Sequence, residues 1–297
     1  MFEQRMRGCK TTSCFFVSDL HGHVDRYEKL FAAIADERPG AVFLGGDLLP
    51  SGLLPGATLD LGHRDFVNDF LATSFSKLRT SLAADYARVM LILGNDDPRF
   101  EEPAILDVAI RGVWEYIHAR RIQLGETSVY GYSFVPPTPF MLKDWERYDV
   151  SRYVDVGCIS PEAGYRSVAV SEQEVRYATI REDLEKLAGH DTLEQAVFLF
   201  HSPPYQSHLD RAALDGRVID HVPLDVHVGS IAIRQFIETR QPLVTLHGHV
   251  HESARLTGSW KDEIGRTVCL SAAHDGPELA LVRFDLDNPT AATRELM

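Results

Sequence analysis

The chain has 297 residues, 44% of them apolar and 25% charged, the composition of a soluble globular protein that can bury a sizeable core. Its formal net charge of −13 leaves no basic surface for neutralising many phosphates, which excludes bulk binding to duplex DNA, RNA or an anionic membrane. Met1–Thr12 is polar and lacks the apolar core of a signal peptide, and no run of eighteen apolar residues occurs, so the expectation is a cytoplasmic protein away from membranes. The four cysteines (Cys9, Cys14, Cys158 and Cys269) form no CxxC pair, and a disulfide framework is not expected at this size.

In chain order, Cys14–Val17 predicts a short strand, and Val24–Asp36 carries helical spacing (Tyr27, Leu30, Phe31, Ile34) closed by Pro39-Gly40. Ala41–Leu44 is the next strand and ends in Gly45-Gly46-Asp47. A loop rich in Gly, Pro and Leu (Leu48–Gly62) leads to a long amphipathic helix, with Phe66, Phe70, Phe75, Leu78, Leu82 and Tyr86 on its buried face. Val89–Leu93 is a third strand, ending in Gly94-Asn95-Asp96. This alternation predicts an α/β fold whose sheet has parallel neighbours.

Ser128–Val135 alternates like a strand and runs into Pro136-Pro137-Thr138-Pro139. Phe140–Tyr165 is aromatic, charged and poorly periodic, so an irregular excursion or lid is expected at about 136–172. One helix is predicted over Gln173–Leu187, a strand over Ala196–Phe200 ending at His201, and a helix over Gly229–Thr239. Leu243–Leu246 is a strand ending at His247, and Thr267–Leu270 and Leu279–Phe284 read as two further strands, antiparallel. With no repeat or linker in view, the expectation is one domain over 1–297.

Chemistry gathers in five short contexts: Ser18–Gly22 (SDLHG), Gly45–Leu48 (GGDL), Gly94–Asp96 (GND), Phe200–Pro204 (FHSPP) and His247–His251 (HGHVH). These contexts follow predicted strands, and strand ends are where an α/β fold presents its reactive groups. Asp19 and His21, two apart in an extended segment, share a face and reach one ion, as do His249 and His251. Taken alone, Asp19 is as good a helix cap as a ligand, and Asp47 or Asn95 beside glycine is as good a turn residue. Together with His201 they make seven residues able to form one two-metal site, in which the two oxygens of Asp47 suit a shared position.

The order D-x-H, G-D, G-N, H, G-H-x-H over Ser18–His251 resembles the calcineurin-like metallophosphoesterases, and Tyr27–Leu30, His201–Tyr205 and His247–Ser253 are similar to the subgroup related to the Icc protein. The resemblance implies a four-layer αββα sandwich of two mixed sheets. It implies one divalent ion held by Asp19, His21, Asp47 and His251, and a second held by Asp47, Asn95, His201 and His249. Manganese is the first expectation, with Fe, Zn2+ or Ni2+ as the others. A metal-bridging hydroxide would attack phosphorus in line, in a small phosphoester substrate such as a nucleotide, and a phosphodiesterase is expected rather than a monoesterase.

The family often carries a histidine after the G-N pair, where this chain has Asp96. Asp96 and His23 are therefore the catalytic candidates, His227 a weaker one, and Asn95 and Arg99 the candidate substrate contacts; His274 reads either as a support behind the ligands or as a turn residue. The competing expectation is a protein-interaction scaffold on the same fold. A nuclease acting on DNA ranks last, because no basic track is present. Substrate selection is expected in Leu48–Gly62, Phe140–Tyr165 and Tyr205–Gly229.

Overall fold

The computed structural model describes residues 13–51 and 65–297. Strand β1 (Ser13–Val17) leads through helix α1 (Val24–Glu37) to β2 (Ala41–Gly45). A π-helical segment, Phe66–Ala72, then runs into α2 (Thr73–Leu82) and β3 (Arg88–Ile92). After α3 (Glu102–Ile110) come β4 (Glu115–Tyr116), β5 (Arg120–Leu124) and β6 (Thr127–Tyr132), and beyond the irregular excursion α4 (Glu172–Tyr177) and α5 (Ile180–Ala188). Next are β7 (Ala196–Phe200), the small hairpin β8 (Val218–Ile219) and β9 (Val222–Pro223), α6 (Ile231–Arg240), β10 (Val244–His247) and α7 (Ser253–Thr257). The chain closes with β11 (Lys261–Ile264), β12 (Thr267–Ser271), β13 (Ala280–Asp285) and β14 (Asn288–Leu296).

Two six-stranded mixed sheets result, in the orders β14-β13-β1-β2-β3-β4 and β11-β12-β10-β7-β6-β5. In each, four parallel strands carry antiparallel strands at the margin. Alternation along the strands sorts the side chains into layers. Phe16, Phe43 and Met90 of one sheet join Val129, Leu199 and Leu246 of the other in an apolar cluster between the sheets. Their neighbours Phe15, Val42, Leu91 and Phe198 face outward into a cluster with Tyr27, Phe75, Leu184 and Phe236 of the helices. Helices therefore cover both outer faces, which is the expected αββα sandwich.

Several elements differ from the sequence expectations. The long helix after residue 64 is not uniform: Phe66, Phe70, Phe75 and Leu78 are all buried, and the five-residue step from Phe70 to Phe75 is accommodated by the π-helical turns. Leu82 and Tyr86 are only partly buried. The single helix over Gln173–Leu187 is two, because Thr179 turns out of the helix and caps α5 by accepting from the Glu182 N–H, while the Ile180 N–H goes to the Tyr148 carbonyl. The last two predicted strands lie in different sheets: β12 runs parallel to β10, and β13 antiparallel to β1. The segment after β6 is ordered around fully buried Lys143 and Trp145 and tied by bridges such as Val135 to Glu146 and Leu142 to Tyr165. Cys158 and Cys269 are free thiols. Cys9, Met1–Thr12 and most of the Leu48–Gly62 loop lie outside the described residues. No helix among the described residues is long and apolar enough to cross a membrane.

Candidate metal centre

All seven candidate ligands sit just past strand ends and converge. Asp19 and His21 follow β1, Asp47 follows β2, Asn95 follows β3, His201 follows β7, and His249 and His251 follow β10. Ligand atoms of Asp19, His21, Asp47 and His251 lie within 4.8 Å of one another, and so do those of Asp47, His201 and His249. Asn95 joins the second group, its Oδ1 3.0 Å from His201 Nε2. One oxygen of Asp47 serves both groups: Oδ2 is 3.8 Å from His21 Nε2 and 3.3 Å from His201 Nε2. The other oxygen, Oδ1, accepts the Asp96 N–H at 2.8 Å.

The backbone is bent to achieve this. Asp19, His21, Asp47 and His249 are all left-handed, with φ of 57°, 46°, 51° and 74°. Each such residue costs about 1–3 kcal/mol and persists only where its surroundings over-determine it. The loops after β1 and β2 zip together, Asp19 N–H to Gly46 O at 3.0 Å and His21 N–H to Asp47 O at 2.8 Å. Gly94 and Gly248 let the strands approach: a Cβ on Gly94 would collide with Asp47 Oδ1 and His201 Nε2, and one on Gly248 would come within 2.6 Å of Asp19 Oδ2.

The surrounding groups hold each ring and carboxylate in place. Asp19 is fully buried, accepts from Ser18 Oγ and from the His249 N–H, and lies 3.2 Å from His251 Nε2. It is not the cap of α1, since His23 occupies that position. The Arg26 guanidinium donates to the Asp19 carbonyl at 2.8 Å. His21 Nδ1 bonds Asp96 Oδ2 at 3.1 Å, and His201 Nδ1 donates to the Gly45 carbonyl at 2.8 Å. Both rings therefore turn Nε2 toward the cluster.

Burial works to raise the Asp19 and Asp47 carboxyls, but the imidazoles around them win, holding Asp19 well below the usual range and Asp47 near about 2. Burial likewise opposes the charged form of His21 and His201, yet the aspartates lift both to about 9. His249, where burial dominates, is pushed down to about 3. Two buried carboxylates, four imidazoles and an amide oxygen, aimed inward at a few ångströms, form a donor set that fits divalent cations.

A profile described as calcineurin-like phosphoesterase matches residues 13–253. The chain belongs to the calcineurin-like phosphoesterase family. That places it among the metal-dependent phosphoester hydrolases. Solved structures share the fold at low identity. One matches at 16% identity with a TM-score of 0.59, covering 96% of this chain and 99% of its own. Another, TT1561 of Thermus thermophilus, matches at 14% identity with a TM-score of 0.53 over the same shares. No curated protein matches the chain.

The remaining candidates of the phosphoesterase are spread more widely. Asp96 accepts from Ser51 Oγ at 2.8 Å as well as facing His21, so both of its oxygens are engaged beside the cluster. His23 is exposed and its side chain makes no capping bond. The Arg99 guanidinium turns to Glu102 at 3.2 Å and lies over the Trp145 ring, in company with none of the seven. His227 bonds buried Asp210 at 2.8 Å, and His274 bonds Glu278 at 3.0 Å. Sequence reasoning missed Asp97. Fully buried, its carboxylate accepts the N–H groups of Leu48, Leu49 and Gly94, and so pins the loop after β2 to the loop after β3. Burial and then the Asp47 charge push the Asp97 carboxyl up to about 7 despite those donors. The doubled aspartate after Gly94-Asn95 was its only sequence signal.

Proposed function

We propose that the phosphoesterase is a two-metal phosphodiesterase. The observation that carries this is the single oxygen Asp47 Oδ2 shared between two ligand clusters. Asp19, His21, Asp47 and His251 would hold one ion, and Asp47, Asn95, His201 and His249 the other, manganese being the first choice. When bound, such a pair supplies Lewis acidity and an activated water for attack on phosphorus.

The residues of the chain do the positioning. Asp47 would be shared by both ions, its second oxygen locked by the Asp96 N–H. Asp96 keeps the proton of His21 on Nδ1, so that Nε2 stays a ligand atom. With both oxygens of Asp96 so engaged, no carboxylic proton is offered to a leaving group there. That favours substrates whose leaving group departs without strong acid assistance, and supports the choice of a diester. Asn95, as a neutral amide, leaves the centre cationic toward a phosphoryl oxygen. The substrate is read as a small phosphoester such as a nucleotide.

The test is hydrolysis of a chromogenic phosphodiester and the matching monoester by protein loaded with Mn2+. The diester is expected to turn over faster, with Asp47→Asn and His201→Ala each losing at least about a hundredfold. Rates unchanged in both variants would remove the proposal. An interaction scaffold is the weaker reading, because none of the seven positions departs from a ligating residue.

A further inference from the structure

His247 opens the His-Gly-His-Val-His segment, yet it is not among the seven candidate ligands, and it is fully buried. It ends β10, which runs parallel to β7 with backbone pairing as far as Leu246 and Leu199. Past the paired residues the Gly248 N–H still donates to the His201 carbonyl at 2.9 Å. The next two N–H groups of that segment are committed elsewhere, His249 to Asp19 Oδ1 and Val250 to the Gly248 carbonyl. The carbonyl of fully buried Ser202 therefore gets no donor from the β10 backbone, and an unpaired buried carbonyl is costly.

The His247 side chain supplies that donor. Its Nδ1 lies 2.9 Å from the Ser202 oxygen, and among the described residues no other donor reaches it. A carbonyl can only accept, so the ring proton sits on Nδ1, and Nε2 accepts the Thr245 hydroxyl at 2.7 Å. Burial pushes the ring down to about 4, which keeps it neutral. Phe200 stacks on it with ring centres 5.7 Å apart. The imidazole thus extends the hold of β10 on β7 by one bond, at the point where Pro203 and Pro204 carry the chain away without N–H groups.

The consequence falls on the proposed ion position of His201 and His249. The chain at His201 is held from β10 twice, by Gly248 on its own carbonyl and by His247 on the next, and the His201 and His249 rings are 5.2 Å apart. The other ion position is held differently. There Asp19 lies 3.2 Å from His251 and accepts the His249 N–H, contacts in which His247 takes no part. We propose that His247 is a positioning residue for the metal ion of His201 and His249, fixing His201 against β10 without touching the ion. This role rests on the two-metal reading above.

The test titrates metal-free full-length protein with Zn2+ and resolves the two binding steps by calorimetry, with His201→Ala marking which step belongs to His201. His247→Phe keeps a ring in place and removes the donor. It is expected to weaken the marked step about 10–100-fold and to leave the other within about twofold. His247→Asn, whose amide nitrogen can stand where Nδ1 stood, is expected to recover most of that loss. Thr245→Val is close to isosteric and only releases the ring tautomer. It is expected to weaken the same step about threefold, and it reads the role even where His247→Phe does not fold. Equal weakening of both steps, no weakening in any variant, or an Asn variant as impaired as the Phe variant would overturn the proposal. A wild-type chain with a single binding step would instead remove the two-metal reading, and this role with it.

Discussion

At the scale of single residues, the centre depends on side chains that touch no ion position. Asp96 orients His21, so Asp96→Ala is expected to lower divalent-metal affinity about 10–100-fold with little change in fold, measured by competition with a chelating dye. Unchanged affinity would remove Asp96 from that role. Gly94→Ala is expected to cost about 1–3 kcal/mol in chemical unfolding, because the new Cβ would press on Asp47 and His201 through packed backbone. The glycines and the candidate ligands stand together in the sequence, and the candidate site was legible there because each of its residues follows a strand. Asp97 and Arg26 were not. Asp97 matters through hydrogen bonds to the Leu48 and Leu49 N–H groups, 49 and 48 residues away, and Arg26 by tying the Asp19 carbonyl to that of Gly276, 250 residues away, relations no local pattern carries.

At the scale of elements, periodicity read the central strands well and the helices less well. β1, β2, β3 and β7 are mostly apolar runs because both faces are covered, and such runs announce themselves. The marginal strands β5, β11 and β14 are short of buried residues, alternate weakly and went unread. The π-helical turns were encoded as a five-residue step between phenylalanines, which a 3.6-residue template hides. Phe75, at that step, packs edge-on against Phe31 and Trp114. Phe75→Ala is accordingly expected to cost about 3–5 kcal/mol by denaturant unfolding, and a loss below about 1 kcal/mol would deny that the π-helical register is what buries it. The break at Thr179 went unread although its cap is local, Thr179 accepting from the Glu182 N–H three residues on; what holds it, the Tyr148 carbonyl that accepts the Ile180 N–H, is supplied by the irregular excursion.

At the scale of the whole molecule, two features follow from the way the sheets bring distant charges together. His118 is held as a neutral ring, burial first and then the charges of Arg99, Arg147 and Arg120 pushing it from the ordinary 6.5 down to about 3. A depressed folded value means that the unfolded chain binds the extra proton first, so the associated stability is full above pH 6.5 and is lost as pH falls toward 3. His118→Phe is therefore expected to flatten the acid limb of the stability curve over that window, by up to about 1.4 kcal/mol per pH unit. An acid limb of unchanged slope would show that the ring is already charged when folded.

The second feature is the convergence of five loops, from both sheets, on one shared carboxylate. It makes a polar centre inside a chain whose net charge is −13, and cations are what reconcile that centre with burial. Elemental analysis of purified, metal-supplemented protein tests this most directly. The proposed centre predicts about two divalent ions per chain, falling in Asp47→Asn, which reaches both clusters. A wild-type chain that retains no metal, or an Asp47→Asn chain that retains as much as wild type, would contradict the two-metal centre.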